Sequence, residues 1–339
     1  MRLRIFPTLL LTVVCVVGSV SPGEAQCDPD GDVQFVCGPV SPEDLAPVPR
    51  SPWILVSGME DDGYLYATDV RDHTSSVLFP TQMARPRHDR GTYGSCPGPV
   101  TGGFRPHGLS LRPGANTTHT LYVVRHGERE AIEVFEVDVG GASPTLVWIG
   151  CVVAPEGVSM NSVAALPGGG FVITNFQMAA GELWEWQPGD GWERVPGSEM
   201  AGPNGIVASD DGRWLYIGGW ATQSLIRLSR GQTPPQISSV DVGHHVDNVR
   251  WAPDGSLLAA GHVGETPTAI FQCLGQGRGC DGVSSMVTRV DPERLTAQEI
   301  IRYPSNDLLI LGTVAIEVGD EIWVGGIAGG TRIARFERR

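Results

Sequence analysis

The sequence predicts an all-β chain, and within that class a six-bladed β-propeller. Three observations carry the prediction. One pattern, an apolar alternating strand followed by a turn and a second alternating strand, recurs six times, at 53–70, 120–139, 171–186, 214–228, 257–290 and 322–336. The alternation has period two, the mark of strands with two different faces. The repeats fall about 50 residues apart, the spacing of a four-stranded blade, whereas a sandwich needs no regular repeat. Glycine (45) and proline (26) are dispersed between the apolar runs, as in short strands joined by tight turns. No stretch offers a long helix.

Taken in order, the chain opens on an expected export leader over residues 1–25. Arg2 and Arg4 give a positive start, residues 9–17 an apolar stretch, and Gly23-Glu24-Ala25 a small-x-small cleavage site. The apolar stretch is too short for a membrane span, which needs roughly 20 residues. Cys15 lies inside the leader, and Thr12-Val13-Val14 before it is a poor lipidation box. One propeller domain is expected over 26–339, in a soluble protein that is secreted or periplasmic. Six cysteines remain: Cys27, Cys37, Cys96, Cys151, Cys273 and Cys280. An even number in an exported chain favours disulfides. Cys27 with Cys37 and Cys273 with Cys280 are the local pairs, leaving Cys96 with Cys151; zinc is the weaker reading, since no pair has knuckle spacing. A net charge of −14 argues against nucleic acid or an anionic membrane as partner.

Upstream of each hairpin a short strand opens on a repeated motif: Glu43-Asp44-Leu45, His107-Gly108-Leu109, Asn161-Ser162-Val163, Asn204-Gly205-Ile206, Asp247-Asn248-Val249 and Gly312-Thr313-Val314. In a propeller the first strand of each blade lines the central channel, so equivalent positions converge on one ring. Glu43, His107, Asn161, Asn204, Asp247 and Thr313 are expected around the channel mouth. Asn and Asp also open strands for turn reasons alone, but turn duty does not call for Glu or His at the same register. Two carboxylates and three amides, Glu43, Asp247, Asn161, Asn204 and Asn248, supply only hard oxygen donors, which suits calcium and not zinc or copper. The predicted architecture is therefore a propeller with a central calcium-binding channel. His107 is a poor ligand there and a good general base, and His126, ending the strand Tyr122-Val123-Val124-Arg125-His126, is placed to orient it and carry its proton. The weaker alternative is that both are polar strand-end residues without chemical duty. Gly-x-Ser-x-Gly is absent, and no serine or cysteine has a partnered base at a recognisable spacing.

The segments PEDL (42–45), FRPHGLSL (104–111), LYVVRHG (121–127), MNSVAALPGGGFVITNF (160–176), GPNGIVASDDGRWLYI (202–217), HVDNVRWAPDGSLLAAGH (245–262) and LGTVAIEVGDEIWVGG (311–326) resemble the paraoxonase/arylesterase family, calcium-dependent six-bladed propellers that hydrolyse lactones, aryl esters and, weakly, organophosphates. Most of the segments would fit the wider gluconolactonase-like superfamily; the PHG and VDN pair with His126 is more specific. The resemblance implies catalytic calcium ligands at Glu43, Asn161, Asn204, Asp247 and Asn248, a histidine dyad at His107 and His126, and a nearby histidine at His262. It also implies a second, structural calcium, for which Asp44 and the Leu109 carbonyl match, while the other aspartate is Ser162 here. The family's disulfide between first and last strands has no C-terminal cysteine to use, so closure is expected to rest on strand pairing, helped by Cys27–Cys37. Gly202 and Pro203 stand where the family has a pocket aromatic.

The expected partner is a small-molecule ester or lactone, with substrate choice set by the loops at 85–99 and 271–283. Two other readings stand beside it: a non-catalytic propeller pinned by calcium, and a sugar lactonase of the gluconolactonase type. Asn116-Thr117-Thr118 is a glycosylation sequon in a eukaryotic host; the leader and compact loops favour a bacterial exported protein.

Overall fold

Each repeat becomes one four-stranded antiparallel sheet, and the six sheets form a six-bladed β-propeller. The computed structural model describes residues 27–81 and 86–338; the expected leader lies outside the described residues. The six hairpins read from alternation are the second and third strands of the blades, for example Trp53–Gly58 with Leu65–Asp69 and Phe171–Asn175 with Glu182–Gln187. The six motif segments become the innermost strands: Pro42–Pro47, Phe104–Arg112, Met160–Ala165, Pro203–Ala208, His245–Trp251 and Leu311–Val318.

The ring closes by strand exchange between the ends of the chain. The strand Gln34–Cys37 pairs antiparallel with Arg332–Glu337 and completes the last blade as its outer strand. No cysteine is needed at the C-terminus, as the sequence implied. The Cys27–Cys37 disulfide, Cα atoms 5.9 Å apart, ties the preceding segment to this strand. The other two expected pairs also form, Cys96–Cys151 and Cys273–Cys280.

Apolar residues fill the spaces between neighbouring blades. Phe79 of the first blade meets Phe104 and Phe135 of the second edge-on, at 5.0 and 4.9 Å between centroids. Phe171 and Trp186 of the third blade stack at 5.2 Å, and Tyr93 stacks on Trp186 from the loop that Cys96 fastens to Cys151. Removing a buried ring such as Phe171, fully inaccessible here, costs about 3–5 kcal/mol.

The sequence offers no long helix, and among the described residues the structure has one short one. Helix α1, Pro267–Gln276, forms inside the fifth blade's hairpin, in the insertion that carries Cys273. Thr266 caps it, its hydroxyl accepting from the Ala269 amide at 3.2 Å, Pro267 occupies the first turn, and Gly277 ends it with φ of 63°. Ten residues is too short for a periodicity reading, but the Thr-Pro start was a visible signal. No helix among the described residues is long and apolar enough to cross a membrane.

Candidate active site

All six inner strands carry an irregularity at the ring motif. In the second blade Pro106 opposes Arg125 and Leu109 opposes Val123, so three steps on the inner strand face two on its partner. The same slip falls at Met160/Val163, Pro203/Ile206 and Val246/Val249, and a shorter one at Pro42/Asp44 and Gly312/Val314. These are β-bulges, which re-aim a side chain by adding one unpaired residue. Glu43, His107, Asn161, Asn204, Asp247, Asn248 and Thr313 all lie within them. Two bulges need glycine as well. A Cβ on Gly108 would stand 2.7 Å from the Asn161 carbonyl, and one on Gly205 would stand 2.4 Å from that of Asp247, so glycine lets adjacent inner strands close up.

Glu43, His107, Asn161, Asn204, Asp247 and His262 line one cavity of about 150 Å³. Asn248 sits just behind, its amide donating to Glu43 Oε1 at 2.5 Å. The Asp247 carboxylate is hydrogen-bonded by the Asn204 side chain and stands 3.8 Å from His262 Nε2. Thr313, which closes the ring, donates its hydroxyl to the Glu43 carbonyl at 2.7 Å.

Four buried oxygens of this set, Glu43 Oε2, Asn161 Oδ1, Asn204 Oδ1 and Asn248 Oδ1, have no hydrogen-bond partner. Leaving one such atom unsatisfied costs about 1–3 kcal/mol; four of them in one ring form the donor set of a hard cation. Burial, with the charges of Asp44 and Asp247, pushes the Glu43 carboxyl well above the usual range, and burial with Asp44 raises Asp247 to about 7. Both follow first from burial and then from the negative charge of Asp44 close by, and a divalent ion held by the ring would reverse both. Among the described residues no three His, Cys, Asp or Glu cluster with metal-ligating geometry, so any site here is a mixed one in which amides dominate. The ring fits calcium.

His107 Nδ1 stands 2.9 Å from His126 Nε2, and His126 Nδ1 stands 2.8 Å from Glu130 Oε2. The other Glu130 oxygen accepts from the Met160 amide at 2.7 Å, beside Asn161. Sequence reading missed Glu130, four residues after His126 across a tight turn. It fixes the order of donors: the Glu130 carboxylate accepts a hydrogen bond from His126 Nδ1–H, His126 Nε2 accepts from His107 Nδ1, and His107 Nε2 is left bare. That nitrogen lies 3.6 Å from Glu43 Oε1. Burial, and then the neighbouring His126, hold the His107 imidazole well below its usual range, so it is neutral at neutral pH.

Solved structures share this architecture. A putative gluconolactonase aligns over 91% of this chain and 92% of its own, with a TM-score of 0.55 and 13% identity. In fold, the neighbours are gluconolactonase-like propellers. Regucalcin from Agrobacterium tumefaciens str. C58, a calcium-binding protein, aligns over 90% of both chains with a TM-score of 0.52 and 13% identity. A luciferin-regenerating enzyme aligns over 89% of this chain and 91% of its own, at 0.52 and 11%. No family model matches the sequence, and no curated protein matches it. At these identities the likeness is one of fold.

Apolar groups form the rest of the cavity: Phe176, Trp220, Ile270, Phe271, Leu274 and Ile327, with Met59 and Leu311. Helix α1 supplies three of them. The Gly202-Pro203 position leaves no aromatic of its own, but the Gly202 carbonyl accepts from the Trp220 amide at 2.8 Å, and the Trp220 ring packs tilted against His245 at 4.3 Å between centroids. Of the two loops expected to set substrate choice, 271–283 contributes through α1; the described part of 85–99 does not line the cavity and packs on the outside of the second and third blades.

Proposed function

We propose that this protein is a calcium-dependent hydrolase of lactones and aryl esters, as the paraoxonase resemblance of its motifs implies. One observation carries the reading: the orphaned oxygens of Glu43, Asn161 and Asn204, with that of Asn248 just behind, and the bare Nε2 of a neutral histidine meet at one apolar-walled cavity. Glu43, Asn161, Asn204, Asp247 and Asn248 would hold the ion. When bound, calcium acts as a Lewis acid on the ester carbonyl oxygen. His107 takes the proton of a water at Nε2; its Nδ1 proton is held by His126, and Glu130 keeps His126 in the accepting tautomer and balances the charge that arrives. General-base assistance of this kind contributes about 10²–10⁴ in rate. The side chains of Trp220, Phe176 and Phe271 bind the apolar part of the substrate and exclude water.

The wall bears on the choice between enzyme types. A sugar lactone presents hydroxyls that need polar partners, and a wall of rings and aliphatic chains leaves them unpaired. Hydrophobic esters and lactones fit it, and the three disulfides support a secreted or periplasmic location.

Purified protein loaded with calcium is expected to turn over phenyl acetate and an aliphatic lactone faster than gluconolactone, and to lose this activity on chelation. His107→Gln should lower kcat about 10²- to 10⁴-fold. A folded, calcium-loaded protein that turns over neither class, or an unchanged rate in His107→Gln, would overturn the proposal. If chelation lowers Tm while no ester or lactone is consumed, the ion pins the blades and the propeller is a binding protein.

A further inference from the structure

Below the ring, the deeper channel is filled by an arginine. Arg250 lies two residues beyond Asn248 on the same inner strand, and its side chain is 9% accessible. Its Nη2 donates to Asp44 Oδ2 and, at 2.9 Å, to the Leu109 carbonyl; its Nε donates to the Leu45 carbonyl at 3.1 Å and its Nη1 to the Val249 carbonyl at 2.9 Å. Asp44 is wholly inaccessible, and its remaining capacity goes to the Leu45 and Leu109 amides, both at 2.8 Å or less. One carboxylate and three carbonyls drawn from three blades are an oxygen set that a hard cation would take. Here a guanidinium takes it, with four of its five donors engaged. Ser162, from a fourth blade, has a neutral hydroxyl, which accepts from the Ile206 amide at 3.3 Å.

We infer that the Arg250 guanidinium is the resident cation of the deep channel, so that Asp44 and the Leu109 carbonyl bind a side chain and not a second metal ion. The oxygen atoms expected to hold a structural calcium are those the arginine has claimed. An ion placed among them would face a fixed positive charge within contact distance, with Asp44 the single carboxylate to balance both. A chain with aspartate at 162 would have had the charge for a metal; with serine there, an arginine that is always protonated does the same work of joining blades across the axis. The inference stands on these contacts and does not require the ring above to be a calcium site.

The test is a count of tightly bound calcium per chain, by elemental analysis after exhaustive dialysis and by titration calorimetry, on the full-length exported protein. One ion is expected in the wild type, and the same count in Asp44→Asn, with a lowered Tm from the lost ion pair. The paired change Arg250→Ala with Ser162→Asp should raise the count to two. Two ions in the wild type, loss of an ion in Asp44→Asn, or a folded double variant that still binds one would overturn the inference. If either variant fails to fold, the wild-type count decides. A wild-type count of zero would agree with an arginine-filled deep site while sinking the calcium-hydrolase proposal, which keeps the two failures apart.

Discussion

At the residue scale, Glu130 gives the most direct handle on the chemistry, because it lies outside the cavity and reaches His107 through His126, its other oxygen holding the Met160 amide. Glu130→Gln would replace an acceptor with an amide that can donate, freeing His126 to turn over its tautomers. The expected result is a fall in kcat on the order of 10- to 100-fold, the range for a lost partner of a site histidine, with KM little changed and the alkaline plateau of the pH profile displaced; a parallel fall in Tm and kcat with an unmoved profile would mark it as merely structural. His244 offers a second prediction, in stability. Burial holds its imidazole down to about 4, against 6.5 for an exposed histidine, with Arg302 and His245 adding to the shift and the Val242 carbonyl opposing it. The folded protein therefore keeps it neutral where the unfolded chain protonates it. Its contribution to stability is whole above pH 6.5 and is lost as the pH falls toward 4. His244→Gln should make the drop in Tm between those pH values smaller, and a drop as large as in the wild type would place the acid sensitivity elsewhere.

At the element scale, the two longer-range and local disulfides should separate on substitution. Cys96–Cys151 closes a loop of 55 residues around the second blade, and by loop-closure entropy its loss is worth about 4 kcal/mol; Cys96→Ser with Cys151→Ser should shift the urea midpoint accordingly. Cys273–Cys280 closes only 7 residues and holds the C-terminal end of α1 at the cavity mouth. Its loss should show mainly as a raised KM for aryl esters, measured against an unchanged KM for a small acetate. The inner and second strands were legible in the sequence because alternation reports which face is buried, and the ring because six equivalent positions shared one register. The bulges were not, since one inserted residue leaves the alternation of a short strand almost intact. Arg250 and Glu130 escaped for another reason: what each touches is decided by the fold, Arg250 reaching Asp44 206 positions away in the chain and Glu130 the Met160 amide 30 positions away, and no period in the sequence encodes that reach. Helix α1 was hidden by its brevity.

At the scale of the whole molecule, the ring has a single seam. The strand Gln34–Cys37 lies at the outer edge of the blade whose third strand is Arg332–Glu337, with Gln34 opposite Arg335 and Cys37 opposite Arg332. Removing residues 332–339 should leave the first strand unpaired and the last blade with two strands, and the expected outcome is insoluble or protease-labile protein; a truncated chain with wild-type Tm would show that the seam is dispensable. The same seam also sets an order of events. The strand at 34–37 has no partner until the strand at 332–337 has been added, so five blades can assemble before the circle shuts. Throughout that interval the Cys27–Cys37 loop is the only local clasp on the waiting strand among the described residues, which gives an early oxidation step the task of keeping an exposed edge from finding the wrong neighbour.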